Sequence, residues 1–455
     1  MKKNLKYLGL LSLLLALISC QKFLDAKPDQ SLVIPSSLQD FQALLDDYIR
    51  VNQNDASAGL RSSDDYYLTY ESWQAIAAPE DRNMYIWGKD NLFDKNNNND
   101  WSYTFDNIQR ANIILEGMNK TEQPEVNAAD WNDVKGQAHF QRARNFLQAA
   151  FIWTQAYDPA TASTDLGLPL RLTPDFNTPS VRSSVEQTYQ QIIADFKKAA
   201  QLLPVSAVHK LRPGKAAAFA FLARTYLSMR KYDQAVLYAD SSLQLNDTLL
   251  DYNKVKASAS FPFAPRFSNP EDLFNANMTL PESLSPAKAK IDTVLLGMYT
   301  DNDLRRGVFF GKNADSGYRF KGSYIGAQSL YSGIATDEVY LIKSECLVRT
   351  GLVQEGISIL NQLLLRRWKT GTYLPYTTTD PTEALALVLK ERRKELLMRG
   401  LRWMDIKRFN KESTGIQLTR TLGTSSYSLL PNDLRCALPI PEDVIAITGM
   451  PQNPR

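Results

Sequence analysis

The sequence is poor in the residues that most metal and catalytic sites require. Of its 455 residues only two are histidines, His139 and His209, and three are cysteines. Two imidazoles cannot build a site with three or more histidine ligands, and three cysteines cannot form a disulfide framework. The net charge of +3 is too small, over this length, for the basic surface with which proteins neutralise phosphates. Nucleic acid is therefore not an expected partner.

The motifs of common enzymes are also absent. The chain has no G-x-S-x-G, no G-x-x-x-x-G-K-[ST], no G-x-G-x-x-G and no H-E-x-x-H. Glu391 and Glu395 lie one helical turn apart, but Arg392, Lys394 and Arg399 surround them, which favours a solvated ion-pair face over acid–base catalysis. We therefore expect a binding protein without a cofactor, and a surface hydrolase is the weaker alternative.

One run of residues resembles the beginning of a calcium-binding loop. Carboxylates and amides alternate between Asp94 and Asp100, as the first ligands of such a loop do. Asn99 stands where the loop needs a glycine for its sharp turn, and Phe105 stands where it needs a bidentate glutamate. The pattern disfavours calcium at this position.

The amino terminus has the composition of a signal peptide. Lys2, Lys3 and Lys6 form a positive region, and the apolar stretch at residues 7–18 follows them. About a dozen residues are too few for a helix that crosses a bilayer, so this stretch reads as a signal sequence. No later segment has the 18 or more apolar residues that a membrane span needs.

Residues 17–20 read Leu-Ile-Ser-Cys and resemble the bacterial lipobox, in which the cysteine thiol receives a lipid. We therefore predict a lipoprotein signal peptide over residues 1–19, lipidation at Cys20 and an extended, proline-containing tether over residues 20–35. Removing the signal peptide leaves 49 basic and 49 acidic residues, so the mature chain is formally neutral. Whether Cys346 and Cys436 form a disulfide bond is left open.

A repeated helical pattern occupies the second half of the chain. In residues 215–245 apolar side chains recur every three or four positions, and a break at residues 229–231 separates two helices. A similar block occupies residues 338–367, where Lys343 departs from the pattern set by Leu222. Large and small residues correspond in the pairs Phe219/Tyr340, Ala223/Ser344 and Ala235/Gly356. This alternation is typical of tetratricopeptide repeats, whose small residues let two helices approach closely.

We expect a mainly α fold, formed by a single domain over residues 36–455. About four tetratricopeptide-like helix pairs should stack side by side, near residues 136–203, 215–245, 336–367 and 383–410. Residues 52–100 and 246–335 read as loop-rich segments between them. Within the second segment, GVFFGKN and GYRFKGSY flank a turn at residues 315–317 and predict a β-hairpin. Long loops on a rigid scaffold commonly carry function, so we expect ligand binding there.

Aromatic residues and carboxylates cluster in the first of these loop-rich segments. Flat rings can stack on the apolar C–H faces of a sugar, while neighbouring polar groups bond its hydroxyls. The same groups could serve a peptide ligand, and the alternative is that the rings only pack the loops onto the scaffold. The candidate ligand-binding residues are Asp64, Asp65, Tyr66, Tyr67, Tyr70, Trp73 and Trp87.

Short motifs spread over nearly the whole chain resemble the SusD/RagB family of Bacteroidetes outer-membrane lipoproteins. They are CQKFLD at 20–25, ARNF at 143–146, GLPL at 167–170, YLIKSE at 340–345, ERRKE at 391–395, GLRWMD at 400–405, LPIP at 438–441 and QNP at 452–454. The binding loops are the part least similar to the family, so no ligand residue is carried over from it.

The resemblance implies a cell-surface, lipid-anchored subunit without enzymatic activity. Members of the family capture glycan oligomers, or peptides in the RagB branch, and form the lid of a SusC-like TonB-dependent transporter. It also implies an α fold of four tetratricopeptide units, with fold-stabilising ion pairs in the segment from Glu391 to Asp405. The alternative function is a surface scaffold whose repeat groove holds a protein or peptide partner.

Overall fold

The computed structural model describes residues 35–121, 126–314 and 317–455. None of the helices in these ranges is both long and apolar enough to cross a membrane. The described helices are α1 Leu38–Leu45, α2 Tyr48–Asn52, α3 Ala58–Ser62, α4 Tyr70–Gln74, α5 Pro79–Tyr85, α6 Asp100–Asn119, α7 Ala128–Trp153, α8 Val185–Leu202, α9 Lys215–Ser228, α10 Tyr232–Leu243, α11 Thr293–Leu296, α12 Leu304–Phe309, α13 Thr336–Arg349, α14 Val353–Leu365, α15 Pro381–Glu395, α16 Arg402–Asn410 and α17 Glu442–Thr448.

Within the described ranges the strands are short and occur as five antiparallel pairs: β1 Tyr66–Tyr67 with β5 Lys290–Ile291, β2 Leu166–Pro169 with β3 Arg182–Ser184, β4 Asp272–Phe274 with β8 Ile334–Ala335, β6 Phe310–Lys312 with β7 Tyr318–Phe320, and β9 Leu418–Leu422 with β10 Ser425–Leu429. The β6–β7 pair confirms the predicted hairpin, with Phe310 opposite Phe320 and Lys312 opposite Tyr318. Asp315 and Ser316 of its turn lie outside the described residues.

Helix pairs form the scaffold, as the periodicity predicts. Helices α7 and α8, α9 and α10, and α13 and α14 pack as successive pairs, and α10 also packs against α13. The predicted break at residues 229–231 is the turn between α9 and α10. In the fourth unit, α15 packs against α13, whereas α16 packs against α3 and α9. The mainly α fold is thus confirmed, and its fourth unit connects the repeats, which α15 contacts, with the first loop-rich segment, whose α3 contacts α16.

The contacts between the helices of a pair explain the small residues of the repeat pattern. A Cβ atom on Gly356 would lie 2.6 Å from Cγ2 of Val348 and 2.9 Å from the Ser344 carbonyl oxygen. The Ser344 hydroxyl donates to the Gly356 carbonyl over 2.7 Å, so both small residues serve the same close approach. Lys343, which departs from the pattern, forms an ion pair with Asp240 on the neighbouring repeat.

The two loop-rich segments come together in a core of their own. Strand β1 of the first pairs with β5 of the second, so that Tyr66 lies opposite Ile291. Many of their buried apolar residues, including Tyr85 and Phe309, form a second cluster, whereas others, such as Trp87 and Phe274, belong to the main core between the repeats. Residues 52–100 and 246–335 therefore fold together as one side of the molecule.

Arg305 lies at the centre of a network of buried charges that joins this side to the repeats. Its guanidinium donates to Asp303 over 2.9 and 2.7 Å, to Glu391 over 2.5 Å and to Glu395 over 2.9 Å. Glu391 and Glu395 are only 2% and 1% exposed. The expectation of a solvated ion-pair face is therefore wrong, because Arg305 from a distant segment covers these carboxylates.

The network continues through Arg367, which is also fully buried. It donates to Glu395 and to Glu271, each over 2.7 Å. The Tyr324 hydroxyl then donates to Glu271 over 2.5 Å and lies 3.0 Å from an Asp337 oxygen, so the network extends from the repeats into the second loop-rich segment. Burial raises the pKa of Glu271, against the opposing charge of Arg367.

A second branch ties the third repeat to α16. Arg408 donates to Glu345 over 2.5 and 2.7 Å and to Asp405 over 2.8 Å. Arg392 donates to the other oxygen of Asp405 over 2.9 Å. Although burial raises the pKa of Glu345, the charge of Arg408 outweighs it and lowers that pKa to about 2. The resemblance implies fold-stabilising ion pairs in the segment from Glu391 to Asp405, and they are present.

Replacing Arg305 with methionine should lower the free energy of unfolding by about 3–5 kcal/mol, because three buried carboxylates lose their shared counter-ion. Arg306 is the matched control, since it is partly exposed and pairs with the exposed Asp301. The Arg306→Met variant should change stability by less than about 1 kcal/mol. Urea unfolding of both variants measures the difference, and equal losses would contradict the central place given to Arg305.

Candidate functional site

The candidate residues begin at Asp64, which is held by two arginines of the carboxy-terminal segment. Arg402 donates to its two oxygens over 2.7 and 2.9 Å, and Arg393 donates to one of them over 3.1 Å. Burial raises the pKa of the Asp64 carboxyl, but the charge of Arg402 and then of Arg393 outweighs it and lowers that pKa to about 2. Asp64 remains an anion at neutral pH, with its charge largely compensated.

Asp65 points the other way, into the protein. It is 1% exposed, and one of its oxygens accepts from the Met398 backbone N–H over 3.2 Å. The other oxygen is buried and has no hydrogen-bond partner among the described residues. Burial, and next the charge of Asp64, raise the pKa of Asp65 to about 6. This carboxyl is not placed to meet a ligand.

Tyr66 and Trp87 belong to a buried aromatic cage around Arg420. The guanidinium lies 5.5 Å from the Tyr66 ring centroid, 3.7 Å from that of Tyr85 and 4.6 Å from that of Trp87. It donates to the backbone carbonyls of Tyr85, Arg61 and Ser63. Tyr66 and Trp87 are 3% and 2% exposed, so they hold the loop in place and contribute only a small exposed edge to the pocket that they line.

The other three aromatic candidates reach the surface. Tyr70 is 41% exposed, and Tyr67 and Trp73 are half-buried. The rings of Tyr70 and Trp73 are stacked, with centroids 6.3 Å apart and an interplanar angle of 24°. The Trp73 indole N–H donates to the Arg82 carbonyl over 3.2 Å, which fixes its orientation. Thr69 caps α4 and so fixes the backbone that carries both rings.

A pocket of about 250 Å³ lies beside Tyr67 and next to the compensated carboxylate of Asp64. Asp292 and two exposed threonines of β9, Thr419 and Thr421, also line it. The Tyr70 ring reaches the same hairpin, since a Cβ on Gly423 would lie 3.7 Å from it. We call this pocket, together with the Tyr70 and Trp73 rings, the aromatic groove.

Sequence reasoning missed the residues that distant segments contribute to the groove. Asp292 is separated from Tyr67 by about half the chain and the β9 threonines by more, and neither segment carries a pattern that singles them out. Asp292 caps α11 through its side chain, which accepts from the Leu295 N–H over 2.8 Å. Its proximity to Asp64 follows from the β1–β5 pairing alone.

The remaining sequence candidates have structural explanations or lie outside the described residues. Asp94 and Asn99 cap turns and the start of α6, and the Asp100 carboxylate accepts from the Ser57 and Ala58 N–H groups. Cys20, the signal peptide and the tether up to residue 34 lie outside the described part of the chain.

The two described cysteines, Cys346 and Cys436, are both buried and are not joined by a disulfide bond. Burial raises the pKa of the Cys436 thiol to about 11. Burial likewise raises the pKa of Cys346. The question that the sequence left open is thus answered for this pair.

Two family models match separate parts of the chain. Residues 22–227 match a family model described as "Starch-binding associating with outer membrane", and residues 335–432 match the model of the SusD family. Together these two models cover about two-thirds of the chain. The chain belongs to the SusD/RagB family. No curated protein matches it.

Solved SusD-like structures share the fold over nearly the whole chain. A putative sugar binding protein from Bacteroides vulgatus is 22% identical with a TM-score of 0.73, covering 93% of this chain and 99% of its own. A SusD superfamily protein from Bacteroides thetaiotaomicron is 22% identical with a TM-score of 0.74, covering 92% and 100%. A SusD-like carbohydrate binding protein from Bacteroides fragilis is 17% identical with a TM-score of 0.66, covering 90% and 98%.

The opposite pKa shifts of the two adjacent aspartates generate a testable difference in stability. The pKa of Asp65 rises from about 3.9 in the unfolded chain to about 6 in the folded one, so the folded state binds this proton first as the pH falls. The wild-type protein should therefore gain about 2 kcal/mol relative to Asp65→Asn between pH 7.5 and pH 4.5.

Asp64→Asn is the matched control. The lowered pKa of Asp64 stabilises the fold above about pH 4, and that contribution is lost only as the pH falls toward 2. The stability difference between wild type and Asp64→Asn should thus change from pH 7.5 to 4.5 only as far as loss of the Asp64 charge lowers the pKa of Asp65, and by less than the difference for Asp65→Asn. Urea unfolding at both pH values measures both differences, and a constant difference for Asp65→Asn would contradict the assigned burial.

Proposed function

We propose that the protein is a lipid-anchored, cell-surface binding subunit that captures oligosaccharides and delivers them to a SusC-like TonB-dependent transporter. The observation that carries this proposal is the aromatic groove. It combines two stacked, solvent-accessible rings, Tyr70 and Trp73, with a pocket lined by carboxylate and hydroxyl groups, and the Tyr70 ring reaches the hairpin that carries the threonines of that pocket. The family's outer-membrane association and the lipobox at Cys20 support the location.

The chemistry of the groove fits a neutral sugar chain. The stacked rings of Tyr70 and Trp73 offer a flat apolar face to the C–H side of a pyranose. Asp292 and Thr419 supply acceptors and a donor for its hydroxyls. Asp64 is already paired with two guanidiniums, so the groove has little uncompensated charge with which to attract an ion. Binding there would depend on stacking and hydrogen bonds, and the protein would not catalyse a reaction.

The descriptions of similar proteins also support a carbohydrate ligand. The first matching model is described by starch binding, and two of the similar structures are described as sugar or carbohydrate binding. A peptide ligand, known in the RagB branch, is the competing possibility for the same groove. A protein scaffold function for the repeats is the other alternative.

Ring substitutions separate binding from packing. Trp73→Ala and Tyr70→Ala should each weaken oligosaccharide binding by about 1–3 kcal/mol, because each removes a stacking surface. Trp153→Ala is the control, since its fully buried ring lies in the main core, away from the pocket of the aromatic groove, and its loss should instead cost about 3–5 kcal/mol of stability. Isothermal titration with malto-, cello-, xylo- and manno-oligosaccharides, and with mixed oligopeptides, measures affinity, and urea unfolding measures stability. Unchanged affinity in Trp73→Ala and Tyr70→Ala, with lowered stability, would assign these rings to packing.

The anchor and the transporter are tested in the native membrane. Affinity purification after gentle solubilisation should recover a TonB-dependent transporter with the protein. The Cys20→Ala variant should leave the membrane fraction, because the thiol that receives the lipid is missing. Failure to recover any such transporter would overturn the delivery step, and membrane retention of Cys20→Ala would overturn the lipid anchor.

A further inference from the structure

A second pocket, of about 460 Å³, opens on the repeat side of the molecule. It lies between the loop that joins α8 to α9 and the loop that precedes β4, and it shares no lining residue with the aromatic groove. Its floor is formed by the buried Ala216, Ala217 and Asp272, while the exposed Val208 and His209 form its mouth. A pocket of this size accommodates a small polar ligand rather than a single water molecule.

The floor carries an oriented carboxylate. Asp272 is 4% exposed, and its two oxygens accept from the Tyr331 hydroxyl over 2.7 Å and from the Asn275 amide over 2.6 Å. Each oxygen keeps a further lone pair, so the carboxylate can accept another hydrogen bond without changing its orientation. Burial raises the pKa of Asp272 to about 6, against these two hydrogen bonds, and it stays mainly ionised at neutral pH.

Further hydrogen-bond donors line the same pocket. The Asn246 carbonyl oxygen accepts from the Thr248 N–H over 3.1 Å, which assigns its amide nitrogen as the group left to donate. The Leu211 N–H donates to Nδ1 of His209 over 3.1 Å, so the neutral ring carries its proton on Nε2. Lys210 also lines the pocket and adds an ammonium group.

An aromatic ring is held at the same pocket by a strained backbone. Phe267 has a φ of +71°, a left-handed conformation that bulky residues rarely adopt. The ring centroids of Phe267 and His209 lie 4.7 Å apart with an interplanar angle of 73°. The Arg266 guanidinium lies 5.0 Å from the Phe267 ring centroid. The Asn275 N–H donates to the Lys210 carbonyl over 2.7 Å, which fastens the two pocket loops together. The ring and the polar groups are therefore fixed relative to each other.

We propose that this pocket is a second carbohydrate-binding site, which takes one neutral sugar unit at the end of a chain or as a monosaccharide. An aromatic ring, a carboxylate, an amide and an imidazole N–H are the groups that recognise a pyranose face and its hydroxyls. The carboxylate on the floor opposes a negatively charged sugar, and Lys210 is the ammonium that balances it. The terminal unit of a sugar chain would lie on the buried floor, and the rest of the sugar chain would extend through the exposed mouth into solvent.

The test uses the full-length protein in a Trp73→Ala background that also carries Tyr70→Ala, so that neither stacking ring of the aromatic groove contributes to binding. Saturation-transfer NMR with the methyl glycosides of glucose, galactose, mannose and xylose, and with glucuronic acid, measures binding. At least one neutral glycoside should bind, and adding Ala216→Met, which fills the floor, should abolish that signal. A signal that persists in Ala216→Met, the absence of any neutral ligand, or tighter binding of glucuronic acid would overturn the proposal.

Asn246→Ala provides a second variant that leaves the buried floor intact. Loss of one hydrogen bond should lower the affinity for the neutral glycoside that binds in the first test by about fivefold. Unchanged affinity for that glycoside in Asn246→Ala would exclude the amide from the site and contradict the assigned set of donors. Because the background with Trp73→Ala and Tyr70→Ala lacks both groove rings, failure here leaves the proposed function at the groove independently testable.

Discussion

Pairing of buried guanidinium groups is the constraint on which the rest of the structure depends. Arg305, Arg367 and Arg408 have no access to solvent, or almost none, and an unpaired charge at such a depth would cost several kcal/mol. Each is satisfied only when carboxylates from other segments are in place, such as Glu395 between Arg305 and Arg367. Because these carboxylates come from α13, α15 and the second loop-rich segment, the repeats and the loops can be completed only together.

The same carboxy-terminal segment that supplies this network also positions the aromatic groove. Glu391 and Glu395 of α15 face inward to Arg305, while Arg393 of the same helix reaches outward to Asp64. Arg402, at the start of α16, completes the contact with Asp64. The groove thus rests on a base that cannot shift without disturbing buried ion pairs, which favours recognition by preformed rings over recognition by a mobile loop.

Local pattern predicted the scaffold well, because helix faces repeat within a few residues of each other. The break between α9 and α10, the small residues at Ser344 and Gly356 and the β6–β7 hairpin all followed from spacing alone. The site was predicted only in part. Tyr66 and Tyr70 look alike in the sequence, and what separates them is Arg420, which lies far along the chain and buries the first ring but not the second. The same holds for Glu391: the local sequence predicts a solvated charged helix face, but Arg305 from a distant segment buries this carboxylate.

Because the charged side chains in both pockets are already compensated, few charges remain there to attract a ligand. The aromatic groove holds an aspartate already neutralised by two arginines, and the second pocket sets one carboxylate beside one ammonium. Neither site has the excess of one sign that long-range attraction requires, so stacking and hydrogen bonds must provide the affinity. Each stacked sugar unit contributes only modestly, and an oligomer that contacts several groups at once is therefore retained better than its single units. Contacts of this kind are individually weak, which suits the proposed delivery of a ligand to a transporter.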